Sequence, residues 1–138
     1  MVSSGRSRHL VVRSVRAGIA AAVMAVGVSA CGGGGSELSE LAQLGKSTST
    51  SNGCASCHGA NGQGGVGPTW IDLAGSVREL DDGSTVVADE AYLLRSILEP
   101  GVEVVAGYSI RMPMNGLSDA EAANVVTYIQ ELTSDEPE

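Results

Sequence analysis

The sequence contains no phenylalanine, and its one tryptophan and three tyrosines bring the aromatics to only 3% of 138 residues. A body of about 100 residues with so few rings lacks the bulk for a self-sufficient core, so something other than side chains must occupy its middle. Cations are also scarce and unevenly placed. Arg6, Arg8, Arg13 and Arg16 are half of the eight Lys and Arg residues, whereas no Asp or Glu precedes Cys31. Beyond residue 30, four cations face sixteen acids, a balance of −12. Such a surface repels phosphate and excludes nucleic acid as a partner. No apolar run in that part approaches the ~18 residues that span a bilayer. Cysteine occurs three times, at Cys31, Cys54 and Cys57, and histidine twice, at His9 and His58. An odd cysteine count leaves one thiol to be explained.

What is there begins with an address. Residues 1–16 carry the four arginines, and Ala17 to Ala30 form an unbroken stretch of small and apolar residues, the pattern of a signal peptide over 1–30. The stretch closes on Val28-Ser29-Ala30-Cys31, which resembles the lipobox of bacterial lipoproteins. By that resemblance cleavage precedes Cys31 and its sulfur carries the lipid. Gly32 to Gly35 and Ser36 then form a flexible tether over 31–36. The alternative is a secretory signal with a cysteine near its cleavage site.

With Cys31 set aside, the remaining pair lies in Cys54-Ala55-Ser56-Cys57-His58. C-x-x-C-H reads as the attachment site of a c-type haem. Two thiols add across the porphyrin vinyl groups, and two intervening residues let the chain turn so that His58 projects a ring nitrogen onto the iron. Three other readings compete. A thioredoxin-like pair should follow a strand in a βαβ setting, which is missing before Cys54. A zinc site needs further ligands, and the only other histidine is in the signal. A plain disulfide gives the histidine nothing to do.

Apolar spacing predicts a helix over 37–48, capped by Ser36, after which Ser47 to Gly53 dissolves into turn-prone residues. Five glycines between Gly59 and Gly67 make that segment a loop. They let backbone pass close to a large flat ligand, and no Gly-Lys-Ser/Thr follows to make them a phosphate cradle. Val77 to Ala88 reads as a small hairpin turning at Asp82-Gly83. Asp89 caps a helix running to Leu98 and ended by Pro100-Gly101. Ser118 to Glu121 is a capping box opening a last helix, with Ala122, Val125, Val126, Ile129 and Leu132 on its apolar face. The domain is predicted over 37–133, with an acidic tail over 134–138.

An iron held by His58 alone would be open to small gases. After the signal, two methionines remain, Met112 and Met114, both in a loop flanked by proline and asparagine where packing on a helix face does not explain them. Either supplies a soft sulfur that favours ferrous iron and closes the site for electron transfer.

Over residues 38–132 these features resemble the class I cytochromes c, small helical proteins with an early C-x-x-C-H and a late axial methionine. The resemblance implies an all-α class I cytochrome c fold, three to four helices around one haem c, with a small β-hairpin insertion. Gly67-Pro68 is similar to the family's Gly-Pro, whose proline carbonyl orients the proximal histidine, so Pro68 is expected to orient His58. In the family the axial methionine commonly precedes proline, which favours Met112 over Met114. The segment from Asp82-Gly83 through Ala88 to Pro100, then Gly107-Tyr108 and Met112-Pro113, resembles the cytochrome c domain fused to subunit II of some bacterial haem–copper oxidases. The match is to that domain alone, which makes the chain a free-standing relative.

Two departures stand out. The first helix lacks the family's aromatic, leaving Leu41, Leu44, Gly45, Tyr128 and Ile129 for contact between the terminal helices. Trp70 stands where leucine is usual and is expected against the haem. Leu94 and Ile97 are expected to pack on it, with Tyr108 and Arg95 as donors to its propionates, the alternative for Arg95 being a solvated residue of its helix. Function divides into two classes. The first is an electron carrier, not an enzyme, lipid-anchored on the exported side of a bacterial membrane. Its partners are redox proteins, a quinol-oxidising complex or cytochrome oxidase, with no small-molecule substrate. The second is a haem enzyme or gas sensor with an open distal site. A di-haem peroxidase needs a second C-x-x-C-H, and a cytochrome c-prime places its motif near the C-terminus; this chain does neither.

Overall fold

A computed structural model describes residues 37–134. The expected signal, Cys31 with its tether, and the last four residues of the acidic tail lie outside the described residues. Four helices and one two-stranded sheet follow in the order α1 (Glu40–Ser51), α2 (Ala55–His58), β1 (Val77–Glu79), β2 (Thr85–Val87), α3 (Glu90–Leu98) and α4 (Asp119–Glu131). The mostly helical class and the small hairpin agree with the sequence reading.

α1 starts a turn later than expected, because Ser39 and not Ser36 caps it, its hydroxyl accepting from the Ala42 N–H at 3.2 Å. Its end differs more. The polar run over 47–52, read as dissolving, is helical to Ser51. The Ser49 and Thr50 hydroxyls both donate to the Lys46 carbonyl at 2.8 Å, Ser51 donates to Ser47 at 2.9 Å, and the Asn52 amide donates to Thr48 at 2.9 Å. Side chains that ordinarily compete with helix here bond back along it. Gly53, at φ +77°, then turns the chain into α2.

α4 is held by the full capping box of Ser118 and Glu121. It packs across α1 at Gly45, where an added Cβ would lie 1.9 Å from the Asn124 carbonyl oxygen. The crossing therefore depends on a missing side chain. Ala42, Gly45 and Ser49 make the buried face of α1. Leu41 and Leu44, expected in that contact, are instead 57% and 50% exposed, since they sit one position off the buried stripe. Tyr128 and Ile129 are buried as expected.

The hairpin pairs Val77 with Val87 and Glu79 with Thr85 in antiparallel register. Asp82 shapes its turn by accepting from the Ser84 N–H at 2.8 Å, and Gly83 takes φ +83°. The hairpin is bound to the segment after α3, with the Asp81 N–H donating to Val104 and the Ala106 N–H to Glu79. α3 is capped by the Asp89 carboxylate on the Tyr92 N–H at 2.8 Å. The buried core runs through Trp70, Leu80, Tyr92, Leu93, Ile97 and the inner face of α4. Among the described residues, no helix is long and apolar enough to cross a membrane.

Candidate functional site

A cleft of about 210 Å³ opens between α2, α3 and the loops on either side of the hairpin. One wall is the C-x-x-C-H turn. The His58 N–H donates to the Cys54 carbonyl at 3.0 Å, so the motif is a single helical turn that carries Cys54, Cys57 and His58 into one cleft. Cys54 and Cys57 are not joined in a disulfide. Burial pushes the Cys54 thiol above its ordinary value, with the neighbouring Cys57 adding to the rise.

The His58 ring is placed from two directions. Its Nδ1 lies 2.8 Å from the Pro68 carbonyl oxygen. A carbonyl only accepts, so Nδ1 carries the proton and donates, and the lone pair stays on Nε2. Burial lowers the His58 pKa, with the Pro68 bond working the other way, and the ring is held neutral. Gly67 presses on its edge, where an added Cβ would meet His58 Cε1 at 3.1 Å. Trp70, 6% exposed, stacks on the ring with centroids 4.7 Å apart and planes at 22°.

Ile97 and Tyr108 also line the cleft, as does Met112 in the loop before α4. Met114 is outside it and 77% exposed. Both ends of the methionine loop are tied. Arg111 Nη2 meets Asp81 Oδ2 at 2.7 Å on the hairpin turn, and the Asn115 amide donates to the Ile97 carbonyl of α3 at 2.6 Å.

Two expected pocket residues belong elsewhere. Leu94 sits in a separate groove between α3 and α4, beside Ala123 and Val126, because it lies on the face of α3 that turns toward α4. Arg95 does not line the cleft. Its Nη2 and Nε bind Glu103 Oε2 at 2.6 and 2.7 Å, so the guanidinium is committed within the protein.

Arg78 and Ser96, which were not expected at the site, reach the cleft where Arg95 does not. Both line the cleft, and Arg78 Nε and Ser96 Oγ are buried without a hydrogen-bond partner. Buried donors left unpaired ask for an acceptor in the space they face. The sequence held a signal for Arg78, since strand alternation turns it inward between exposed Val77 and Glu79. Asn115, which fastens the methionine loop, carried no comparable signal.

The residues fit a covalently attached, iron-bearing porphyrin. Two adjacent thiols, a neutral imidazole with Nε2 free, a thioether-bearing loop and two unpaired donors converge on one largely apolar cleft. Among the described residues, no group of three or more His, Cys, Asp or Glu could hold a metal ion by itself, which disfavours zinc. The arrangement defines a mono-haem protein with its group bound through a C-x-x-C-H turn. The family model for cytochrome c matches residues 42–133, and the chain belongs to that family. Its members bind covalently attached haem c and transfer electrons, and Cys54 and Cys57 are consistent with that attachment. No curated protein matches the chain.

Proposed function

We propose that this protein is a membrane-tethered mono-haem cytochrome that passes single electrons in a respiratory chain, toward a terminal haem–copper oxidase. The observation that carries the reading is the His58 Nδ1 bond to Pro68, with Met112 on the same cleft. One nitrogen is spent on orientation, and the other is available to the metal. When bound, the haem supplies a one-electron ferrous–ferric couple.

The chain's own residues do the rest. Cys54 and Cys57 would hold the group by thioether bonds, which would prevent its loss outside the cell. His58 would hold the iron through a neutral nitrogen and Met112 through a soft sulfur, a ligand pair that would favour the reduced form. Arg78 and Ser96 offer donors to the propionates, with Tyr108 at the same cleft. Trp70 and Ile97 keep water from the buried side. Val66 and Ile110, both lining the cleft and about half exposed, leave an apolar mouth for a partner.

The tether and the partner class are inferred from sequence. Cys31 supports a lipid anchor on the exported face of a bacterial membrane, and the likeness to the subunit II domain supports an oxidase as acceptor, with a quinol-oxidising complex as donor. Lys46, the only lysine in the chain, bonds to Asn61 at 3.3 Å. A ring of lysines for docking is therefore absent, and the acidic surface favours a basic docking face on the partner.

The second reading, a haem enzyme or gas sensor with an open distal site, is disfavoured by Met112 in the cleft. The test is optical. The ferric holoprotein should show the weak long-wavelength charge-transfer band of sulfur–iron ligation. Met112→Ala should abolish it and let the ferrous form bind carbon monoxide, whereas Met114→Ala should leave both unchanged. A wild-type protein without the band, readily taking carbon monoxide, would falsify the carrier assignment.

A further inference from the structure

We infer that Trp70 is a positioning residue that sets the plane of the His58 imidazole, transmitting the packing of α4 to the proposed iron ligand. The inference rests on the reading of His58 as a ligand. The Pro68 hydrogen bond fixes the direction of Nδ1. It leaves the ring free to swing about the line from its attachment point to the acceptor. A flat surface against the ring face removes that freedom, and the indole lies there, 4.7 Å away and inclined by 22°.

Trp70 is itself immobilised. Its backbone N–H donates to the Gly62 carbonyl at 2.7 Å, and a Cβ added to Gly62 would lie 3.1 Å from its own Cβ. Its ring meets Tyr128 edge-on, with centroids 6.1 Å apart and planes at 88°. Tyr128 is 1% exposed on α4, beside the Gly45 crossing. The line of contact therefore runs from the α1–α4 crossing through Tyr128 and Trp70 to His58. Offset-stacked and edge-to-face pairs hold defined mutual angles, so each ring restricts the next.

The orientation of an axial imidazole decides which iron orbital holds the unpaired electron in the low-spin ferric state, and hence the g anisotropy. Frozen-solution electron paramagnetic resonance of the ferric holoprotein reads this directly. Wild type should give one narrow low-spin signal. Trp70→Phe keeps an aromatic face and should keep the same g values. Trp70→Met, which refills the volume with a flexible chain, should broaden or split the largest g value while the sulfur–iron band persists.

Spectra of Trp70→Met identical to wild type in g values and linewidth would overturn the inference. So would a broadened signal in Trp70→Phe, which decides the matter even if the methionine variant fails to fold. A high-spin wild-type spectrum would instead overturn the ligand reading, and this inference with it.

Discussion

At the scale of single residues, the chemistry is carried by side chains whose polar atoms are almost all spoken for, and the exceptions are informative. Arg78 and Ser96 face the cleft unpaired, but Tyr128 also buries its hydroxyl without a partner and does not line the cleft. Burial pushes its phenol above the ordinary value. The ring is what α4 and Trp70 use. Tyr128→Phe should therefore cost no stability and gain up to about 1 kcal/mol, because it removes a desolvated group without opening a cavity. Chemical denaturation of the holoprotein checks this, and a clear loss would mean the hydroxyl has a partner. Cys54, Cys57 and His58 could be picked out from the sequence because their chemistry depends on spacing along the chain, whereas Pro68 came from the resemblance of Gly67-Pro68 to the family's Gly-Pro and the methionine pair from its setting in a loop. The commitment of Arg95 to Glu103 and the exclusion of Leu94 could not, since both depend on how α3 is rotated against its neighbours.

At the scale of elements, close approach governs the α1–α4 crossing. Gly45→Ala would place a methyl group against the Asn124 backbone, which has no flexible end to yield. A loss of about 1–3 kcal/mol is expected, measured by denaturant titration. A second tie joins the outer ends of the same helices. The Glu131 carboxylate accepts from the Ser39 N–H at 2.8 Å and the Ser39 hydroxyl at 2.6 Å. Those bonds lower its pKa below the ordinary 4.5. The tie is therefore fully present above pH 4.5 and is lost as pH falls through the depressed value. Glu131→Gln should lower the thermal midpoint at neutral pH, and the gap from wild type should close in acid. The hairpin, α3 and α4 were legible because their turns and caps are local. α1 was misplaced because the signals around it conflicted. Ser36 and Ser39 both suit a cap, and the serine–threonine run favours loop unless its hydroxyls find carbonyls one turn back.

For the whole molecule, the poverty in aromatics corresponds to a cleft where a larger protein would have packed rings. Two thirds of the chain matches a family that fills this space with haem. On the lipid-anchor reading, Cys31→Ser should move the protein from the membrane fraction to the soluble one, followed by immunoblot after fractionation. A variant that stays membrane-bound would sink that reading.

The methionine loop has a last consequence. It is pinned at one end by Arg111 to the hairpin turn and at the other by Asn115 to α3. If Met112 is the iron ligand, as proposed, a sulfur held in place by the scaffold would let an electron come or go with little displacement of nuclei. Low reorganisation energy would follow from that rigidity, leaving the transfer rate to the distance to the partner's redox centre and to driving force.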